Sequence, residues 1–573
     1  MSESPESIVL LSDFNVSTLH SLLSKSASGA GLQIDVAPFG EVIQPLLNES
    51  RNEGAPQRGA VVWASPAGVL PGFTQLIQGG ITDNQGVLDE VDRFADMLEA
   101  SAQHFRFILV VSFSAPPGER GLGMLDLDPS QGISGTLLRA NLRLADRLAS
   151  LRNVYLLDSG RWATGLDGAE EAARLWYLSK TPLEHRQLKL AASEILDAIQ
   201  AVRGRSRKLI IVDLDDTLWG GIVGDAGWES LRLGGHDPIG EAFVDFQRVL
   251  KALARRGVIL GIVSKNEEST ALDAIKRHPE MVLELDDFAG WRVNWRDKAQ
   301  NVADLTAEVN VGLDSVVFID DSASERARVR ETLPDVLVPE WPSDPMRYAA
   351  RLRAMSCFDV TSLSEEDRAR ARGYAAERRR REAKASVGSL EAWLNSLELK
   401  VHVDRLGKAD LPRATQLLNK TNQMNLTTRR LTETEHWDWA NRPEHHSFTV
   451  RVSDRFGDYG LTGLVSCALE TAENGKSPEG KIVDFVLSCR VFGRQVERTM
   501  LHKIAAVART LGASHLRAEL IPTKKNEPCR RFWVEESGFS QDPANERVFG
   551  FALSEPYPAP GVVSLLGDGD QRS

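Results

Sequence analysis

KLIIVDLDDTLWGG, spanning Lys208 to Gly221, is the stretch from which the rest of the chain can be read. Leu209 to Val212 is a short, continuous apolar run rich in β-branched residues, as expected of a strand buried on both faces of a parallel sheet. Carboxylates follow at once, so Asp213, Asp215 and Asp216 sit at the strand's C-terminal end. Ligands of open α/β sheets gather beyond that end. Three carboxylates within four residues repel one another unless protons or a cation intervene, and a hard, oxygen-liganded ion such as Mg2+ suits them.

The same event recurs downstream. Val258 to Val263 is a second apolar run and ends at Ser264; Val316 to Ile319 is a third and ends at Asp320 and Asp321. Lys298 lies between them, in NWRDKAQN. In that order, Asp-x-Asp-x-Thr, strand-terminal Ser, Lys and strand-terminal Asp-Asp resemble the haloacid dehalogenase (HAD) phosphatase superfamily. The longer strings DLDDTLWGG, SKN, NWRDKAQN and FIDDSASERARVR are similar, more narrowly, to the FkbH-like glyceryl transferase/phosphatases of polyketide pathways. The resemblance implies roles. Asp213 would be the nucleophile that forms an aspartyl-phosphate, and Asp215 would protonate the leaving alkoxide and then activate water. Asp213, the backbone carbonyl of Asp215, and Asp320 would hold Mg2+, with Ser264 and Lys298 on the phosphoryl oxygens. Thr217, Asn266 and Asp321 are placed around the substrate.

The sequence has 573 residues, which implies about three or four domains. Its net charge of −12 argues against a nucleic-acid partner. That charge also suits an acidic carrier protein poorly unless basic residues are gathered locally. The four cysteines, at 357, 467, 489 and 529, have no paired metal spacing and are too few for a disulfide framework. A reducing cytoplasm is the expected location. No apolar run reaches the roughly 18 residues of a membrane span, and the first residues lack the basic and apolar blocks of a secretory signal.

The expected organisation is α/β and multidomain. Residues 1–203 alternate apolar runs at Ile8–Leu11, Gln33–Ala37, Ala60–Trp63, Phe107–Ser112 and Val154–Leu157 with helical stretches near Val87–Ala100, Ser134–Leu151 and His185–Val202. Family members of this length carry an N-terminal domain similar to SGNH hydrolases. Here the nucleophile block is inverted to Ser12-Asp13 and Pro182 stands where the Asp three before His185 would be, so this domain is read as non-catalytic. Residues 204–357 form the HAD-like core, with helices over Gly240–Arg256 and Glu268–His278. The gaps after Asp213 and between Ser264 and Lys298 are too short for a cap domain, so the site is expected to be open. An open site excludes water poorly on its own, which suits a substrate delivered on a macromolecule. Residues 358–397 read as a charged helical connector, its ERRRREAKAS run a solvated face, and residues 555–573 as a frayed tail.

Residues 398–554 change character. Two strands that look antiparallel, an Arg490-x-x-Gly493 turn, a helix with an apolar stripe at Val496, Met500, Ile504, Val507 and Leu511, and a further strand are similar to the GNAT acyltransferase core. In that fold the turn binds the coenzyme A pyrophosphate through backbone N–H groups, which places Arg490, Gly493 and Arg494 at the cofactor. Gln495 replaces the usual small residue, which suits a pantetheine arm with a single phosphate better than coenzyme A. Cys489, beside Arg490 and a helix N-terminus, is a candidate acyl-accepting thiolate, and SCRVFGRQVE matches the family pattern around a proposed acyl-carrying Cys. By the same resemblance, Asn422, Gln423 and Arg430 of LLNKTNQMNLTTRR would contact the glyceryl hydroxyls or phosphate. The alternative is a loop that satisfies its own backbone. The expected function is bifunctional: loading of a glyceryl unit from 1,3-bisphosphoglycerate onto the phosphopantetheine arm of an acyl carrier protein, and removal of the 3-phosphate. A plain Mg2+-dependent phosphatase with a binding module is the alternative.

Overall fold

In the computed structural model the run that organises the sequence is strand β6, Leu209–Val212, with all four side chains at 0% exposure. The structure describes residues 6–27, 31–49, 58–79, 84–116, 119–128, 132–162, 169–362, 373–374, 376–380, 383, 389–421, 423–470, 478–523 and 526–566. The chain divides into two compact units, Met1–Leu285 with Trp291–Arg368, and Ala369–Ser573 with the short stretch Asp286–Gly290.

The first unit contains two open sheets, in keeping with a mixed α/β chain. Strands β1 (Glu6–Ser12), β2 (Leu32–Val36), β3 (Gly59–Trp63), β4 (Ile108–Val111) and β5 (Val154–Leu157) pair in the order β2-β1-β3-β4-β5, all parallel. Parallel strands need helical crossovers, and the helices Ser17–Ala27, Ile43–Glu49, Asn84–Ala102 and Ile133–Leu148 lie between successive strands of this sheet, while His185–Val202 leads on from β5 to the next sheet. Separate cores form on the two faces of this sheet. Ser12 ends β1, where its hydroxyl accepts the Phe14 N–H at 3.3 Å.

The second sheet runs β8-β7-β6-β9, with β7 at Ile259–Ser264, β8 at Phe288–Val293 and β9 at Val316–Ile319. β6 pairs in parallel with β7 on one side and β9 on the other. The central strand therefore ends between two neighbours whose own ends carry Ser264 and Asp320. The helix Pro238–Arg255 is set by an Asp237 N-cap with Pro at its first position, and it starts and stops within two residues of the stretch expected from periodicity.

The second unit holds one larger sheet, β16-β17-β15-β14-β13-β12-β10-β18. Its members are β10 (Leu399–Arg405), β11 (Met424–Asn425), β12 (His445–Asp454), β13 (Gly457–Glu470), β14 (Glu479–Leu487), β15 (His515–Glu519), β16 (Ser540–Asp542), β17 (Asn545–Ala552) and β18 (Val563–Leu566). β14 and β15 are parallel from Glu479↔His515 to Ile482↔Ala518 and then part. β11 fills the gap: it pairs antiparallel with β14 at Val486 and Leu487, Leu426 N–H donates to Phe485 O, and Ile521 N–H donates to Leu426 O. The connector is not wholly a solvated face. Arg380 is 3% exposed, pairs with Asp454 through two hydrogen bonds of 2.7 and 2.8 Å, and lies 4.1 Å over the Tyr459 ring. Burying that guanidinium is tolerable because both sides of its fork are occupied. Among the described residues no helix is long and apolar enough to cross a membrane.

Candidate active site

The parallel register brings the three strand ends together. Asp213 N–H donates to Ile319 O at 3.0 Å, which extends the β6–β9 ladder to the first acid and sets its side chain beside Asp320. Lys298 is the first residue of the helix Lys298–Val309, whose N-cap Asp297 accepts from Gln300 N–H. That cap aims the lysine inward. Its Nζ lies 2.6 Å from Asp320 Oδ2 and 3.0 Å from Asp213 Oδ2, with the three side chains at most 8% exposed. Burial raises the Asp213 carboxyl to about 6 and Asp320 pushes it the same way, while Lys298 and the Ser264 hydroxyl oppose. Burial likewise raises Asp320, against Lys298. For Lys298 burial acts downward, but the two carboxylates outweigh it and hold the ammonium above its ordinary range. One cation thus serves two buried acids, an arrangement short of positive charge.

The chain around Asp320 is fixed by Arg326, whose Nη1 donates to the carbonyls of Asp320 and Asp321 at 2.8 and 2.7 Å. Thr217 is fully buried and exchanges hydrogen bonds with Asp321: its hydroxyl donates to Oδ1 at 3.3 Å and accepts the Asp321 N–H at 3.1 Å. These contacts tie the turn after β6 to the turn after β9, so Thr217 orders the loop rather than facing a substrate. Oxygens of Asp213, Asp320 and Asp321 lie within 4.8 Å of one another. Asp213 Oδ1 is buried with no hydrogen-bond partner. An orphaned carboxylate oxygen among hard oxygen donors fits Mg2+. Asp321 thereby joins the acids that could hold a metal, whereas the Asp215 carboxylate is committed elsewhere.

Asp215 is gripped from two sides. Oδ1 accepts the Trp219 indole N–H at 2.9 Å and the Val223 backbone N–H at 3.1 Å, both from the segment that follows the turn. Oδ2 accepts Asn266 Nδ2 at 2.8 Å, and the same Nδ2 lies 3.4 Å from Ser264 Oγ. Asn266, expected at the substrate, therefore bridges the acid and the serine. The segment is a flap rather than a domain: Gly220 and Arg232 exchange backbone hydrogen bonds across it, and before Pro238 it carries the short helix Val223–Ala226 and a 3-10 turn at Trp228–Ser230. Trp219 stood in the organising stretch without a role. An indole four residues after the acid was its one signal.

In the second unit, Cys489 opens a short 3-10 turn, Cys489–Val491, just past β14; its side chain lies outside what the structure describes. Arg490 is exposed, with Nε 3.4 Å from Ser488 Oγ. Gly493 has φ +67° and Gln495 φ +64°, so this turn uses the left-handed region twice. The Gly493 N–H donates to Glu497 Oε1 at 2.9 Å, so a carboxylate of the chain itself occupies one turn donor. Arg494 is turned inward, where it hydrogen-bonds the Tyr459 hydroxyl and lies 3.4 Å from Glu377. Asn422 lies outside the described residues and Gln423 is exposed. Arg430 donates to the carbonyls of Leu418 and Arg429 at 2.8 and 3.2 Å, and Asn425 Nδ2 donates to those of Leu418 and Thr421 at 3.3 and 3.0 Å. The TNQ string thus spends these polar groups on its own backbone.

Glu497 gives a test of this turn. Burial raises its carboxyl from 4.5 to about 7. Between those values the folded chain holds a proton that the unfolded chain has released, so stability falls as pH rises across that window. Glu497→Gln keeps an acceptor for Gly493. It is expected to be more stable than the wild type at pH 8 by up to about 3 kcal/mol and indistinguishable near pH 4, read from urea midpoints.

No family model matches the chain, and no curated protein is matched by its sequence. Among solved structures it is similar to the N-terminal part of the protein BF1531 from Bacteroides fragilis, which contains a phosphatase domain complexed with Mg. The identity is 26% and the TM-score 0.53, over 62% of this chain and 95% of that one. Lower-scoring matches include the GNAT family N-acetyltransferase YhbS from Escherichia coli in complex with CoA (12% identity, TM-score 0.21, 30% of this chain and 89% of that one). Another is the glucosamine-6-phosphate N-acetyltransferase from Arabidopsis thaliana (16% identity, TM-score 0.19, 25% and 92%).

Proposed function

We propose that the chain is a Mg2+-dependent phosphatase of phosphate monoesters, with Asp213 as the nucleophile. The observation that carries this reading is the convergence of Asp213, Ser264, Lys298 and Asp320 at three adjacent strand ends, with Lys298 Nζ within 3.0 Å of both acids. A Mg-bound phosphatase domain in the Bacteroides neighbour supports it. Asp213, Asp320 and Asp321 would hold the ion. When bound, Mg2+ supplies the positive charge that the acids lack and that a phosphoryl group needs. Asp213 attacks phosphorus, Lys298 and Ser264 bind the non-bridging oxygens as charge shifts, and Asp215 gives a proton to the departing ester oxygen. Asp215 then takes a proton from the water that cleaves the aspartyl-phosphate.

The finer reading concerns the substrate. Cys489 attacks the acyl phosphate of 1,3-bisphosphoglycerate, its sulfur forms a thioester, and inorganic phosphate leaves. Transfer to the phosphopantetheine thiol of an acyl carrier protein follows, and the Asp213 site removes the remaining 3-phosphate. The sequence strings around Asp213 and Cys489 and the small flap, in place of a cap, support this reading, in which carrier transfer and 3-phosphate removal follow in either order. Glu497 on the Gly493 amide and the inward Arg494 favour a second reading, in which the second unit only binds and the first hydrolyses. Intact-mass measurement separates them. A holo carrier incubated with the protein, Mg2+ and a bisphosphoglycerate-generating system is expected to gain glyceryl without phosphate. No adduct, with phosphate released from a free phosphomonoester, would leave the second reading standing.

A further inference from the structure

The two oxygens of Asp215 are held by different parts of the molecule, and that asymmetry assigns them different work. Oδ1 receives two donors, the Trp219 indole and the Val223 amide, at 2.9 and 3.1 Å. Trp219 is 0% exposed and Val223 1%, so water does not compete with either donor. Oδ2 receives one donor, Asn266 Nδ2, which also lies 3.4 Å from Ser264 Oγ on the phosphoryl side of the site. A carboxyl oxygen that already accepts two hydrogen bonds has little capacity left for an incoming group, whereas one bond is readily exchanged.

We propose that Trp219 and the Val223 amide are positioning groups that clamp Asp215 through Oδ1, leaving Oδ2 as the oxygen that meets the ester oxygen of the substrate. The inference rests on the phosphatase reading and adds to it a flap that aims the acid. In the first step a bond forms between an Asp213 oxygen and phosphorus, the ester P–O bond breaks, and the proton on Asp215 Oδ2 passes to the departing alkoxide. Asn266 gives up its bond to Oδ2 as the ester oxygen arrives. In the second step water forms the new P–O bond, the aspartyl P–O bond breaks, and the proton of water goes to Oδ2. Oδ1 keeps its two donors throughout, which holds the reacting oxygen in line.

The clamp predicts a dependence on the leaving group that a purely structural tryptophan would not give. An alkoxide needs a proton as it departs, and a nitrophenolate does not. Trp219→Phe removes the indole N–H and keeps an aromatic ring. Val223→Pro removes the other donor at the first residue of the flap helix, a position that accepts proline. In single-turnover measurements with Mg2+, both variants are expected to cleave glycerol phosphate about 10- to 100-fold more slowly than the wild type. Both should release p-nitrophenolate from p-nitrophenyl phosphate within about 3-fold of the wild-type rate. In an Asp215→Asn background neither change should slow glycerol phosphate cleavage further. Equal losses on both esters, or losses that multiply with Asp215→Asn, would overturn the clamp and leave the phosphatase reading intact. If Trp219→Phe does not fold, the Val223→Pro result decides. A wild-type protein that releases no phosphate from either ester sinks the phosphatase reading, and the clamp with it.

Discussion

Asp213→Asn is expected to abolish phosphate release, by about 10^4-fold or more, while the protein folds as well as before or better. An amide does not form the acyl phosphate, so the loss falls on the chemical step. The fold should not suffer, because the Asp213 carboxyl is an unfavourable guest: burial raises it to about 6, and Asp320 shares the same cation. Asparagine keeps the size of the side chain, and Lys298 remains paired with Asp320 at 2.6 Å. Phosphate release and thermal unfolding, measured side by side, check both halves. Under the glyceryl reading a phosphoglyceryl carrier accumulates. More than about 1% residual turnover would falsify the aspartyl-phosphate route.

Lys298→Met has the opposite signature for stability. Removing the ammonium leaves Asp213 and Asp320 as buried neighbours without a cation, and breaking a buried pair in this way costs about 3–5 kcal/mol. Activity is expected to be lost as well, since under the phosphatase reading Lys298 binds the phosphoryl oxygens. Metal should matter more to this variant than to the wild type. In EDTA the variant is expected to melt well below the wild type, and added Mg2+ should raise its Tm by more than it raises the wild type's, because binding to the folded state alone stabilises it. An equal Mg2+ shift in the two proteins would remove the three acids as the binding site.

Much of the active-site region can be read from local sequence because its chemistry sits where strands stop. The runs before Asp213, Ser264 and Asp320 are the strands β6, β7 and β9, and the helices between them follow their periodicity to within two residues. Lys298 is different: it opens a helix rather than closing a strand, and only the order of motifs linked it to the acids. What was not legible depends on contacts between residues far apart in the chain, or on which way a side chain turns. Asn266 looked like a substrate ligand, yet its amide crosses 51 positions to reach Asp215. Arg494 looked like an anion ligand beside a helix N-terminus, yet Tyr459 and Glu377 draw it inward. Arg380 sat in a charge run and turned out buried, because Asp454 and the Tyr459 ring await it in a distant hairpin.

The insertion of β11 between β14 and β15 bears on how the second unit is made on the ribosome. Met424 and Asn425 must wait for Val486 and Leu487, and the Leu426 carbonyl waits for Ile521, which is synthesised almost a hundred residues later. Such distant closures are slow steps in folding. A nascent chain halted before Ile521 could already seat β11 against β14 but would leave the Leu426 carbonyl without its donor.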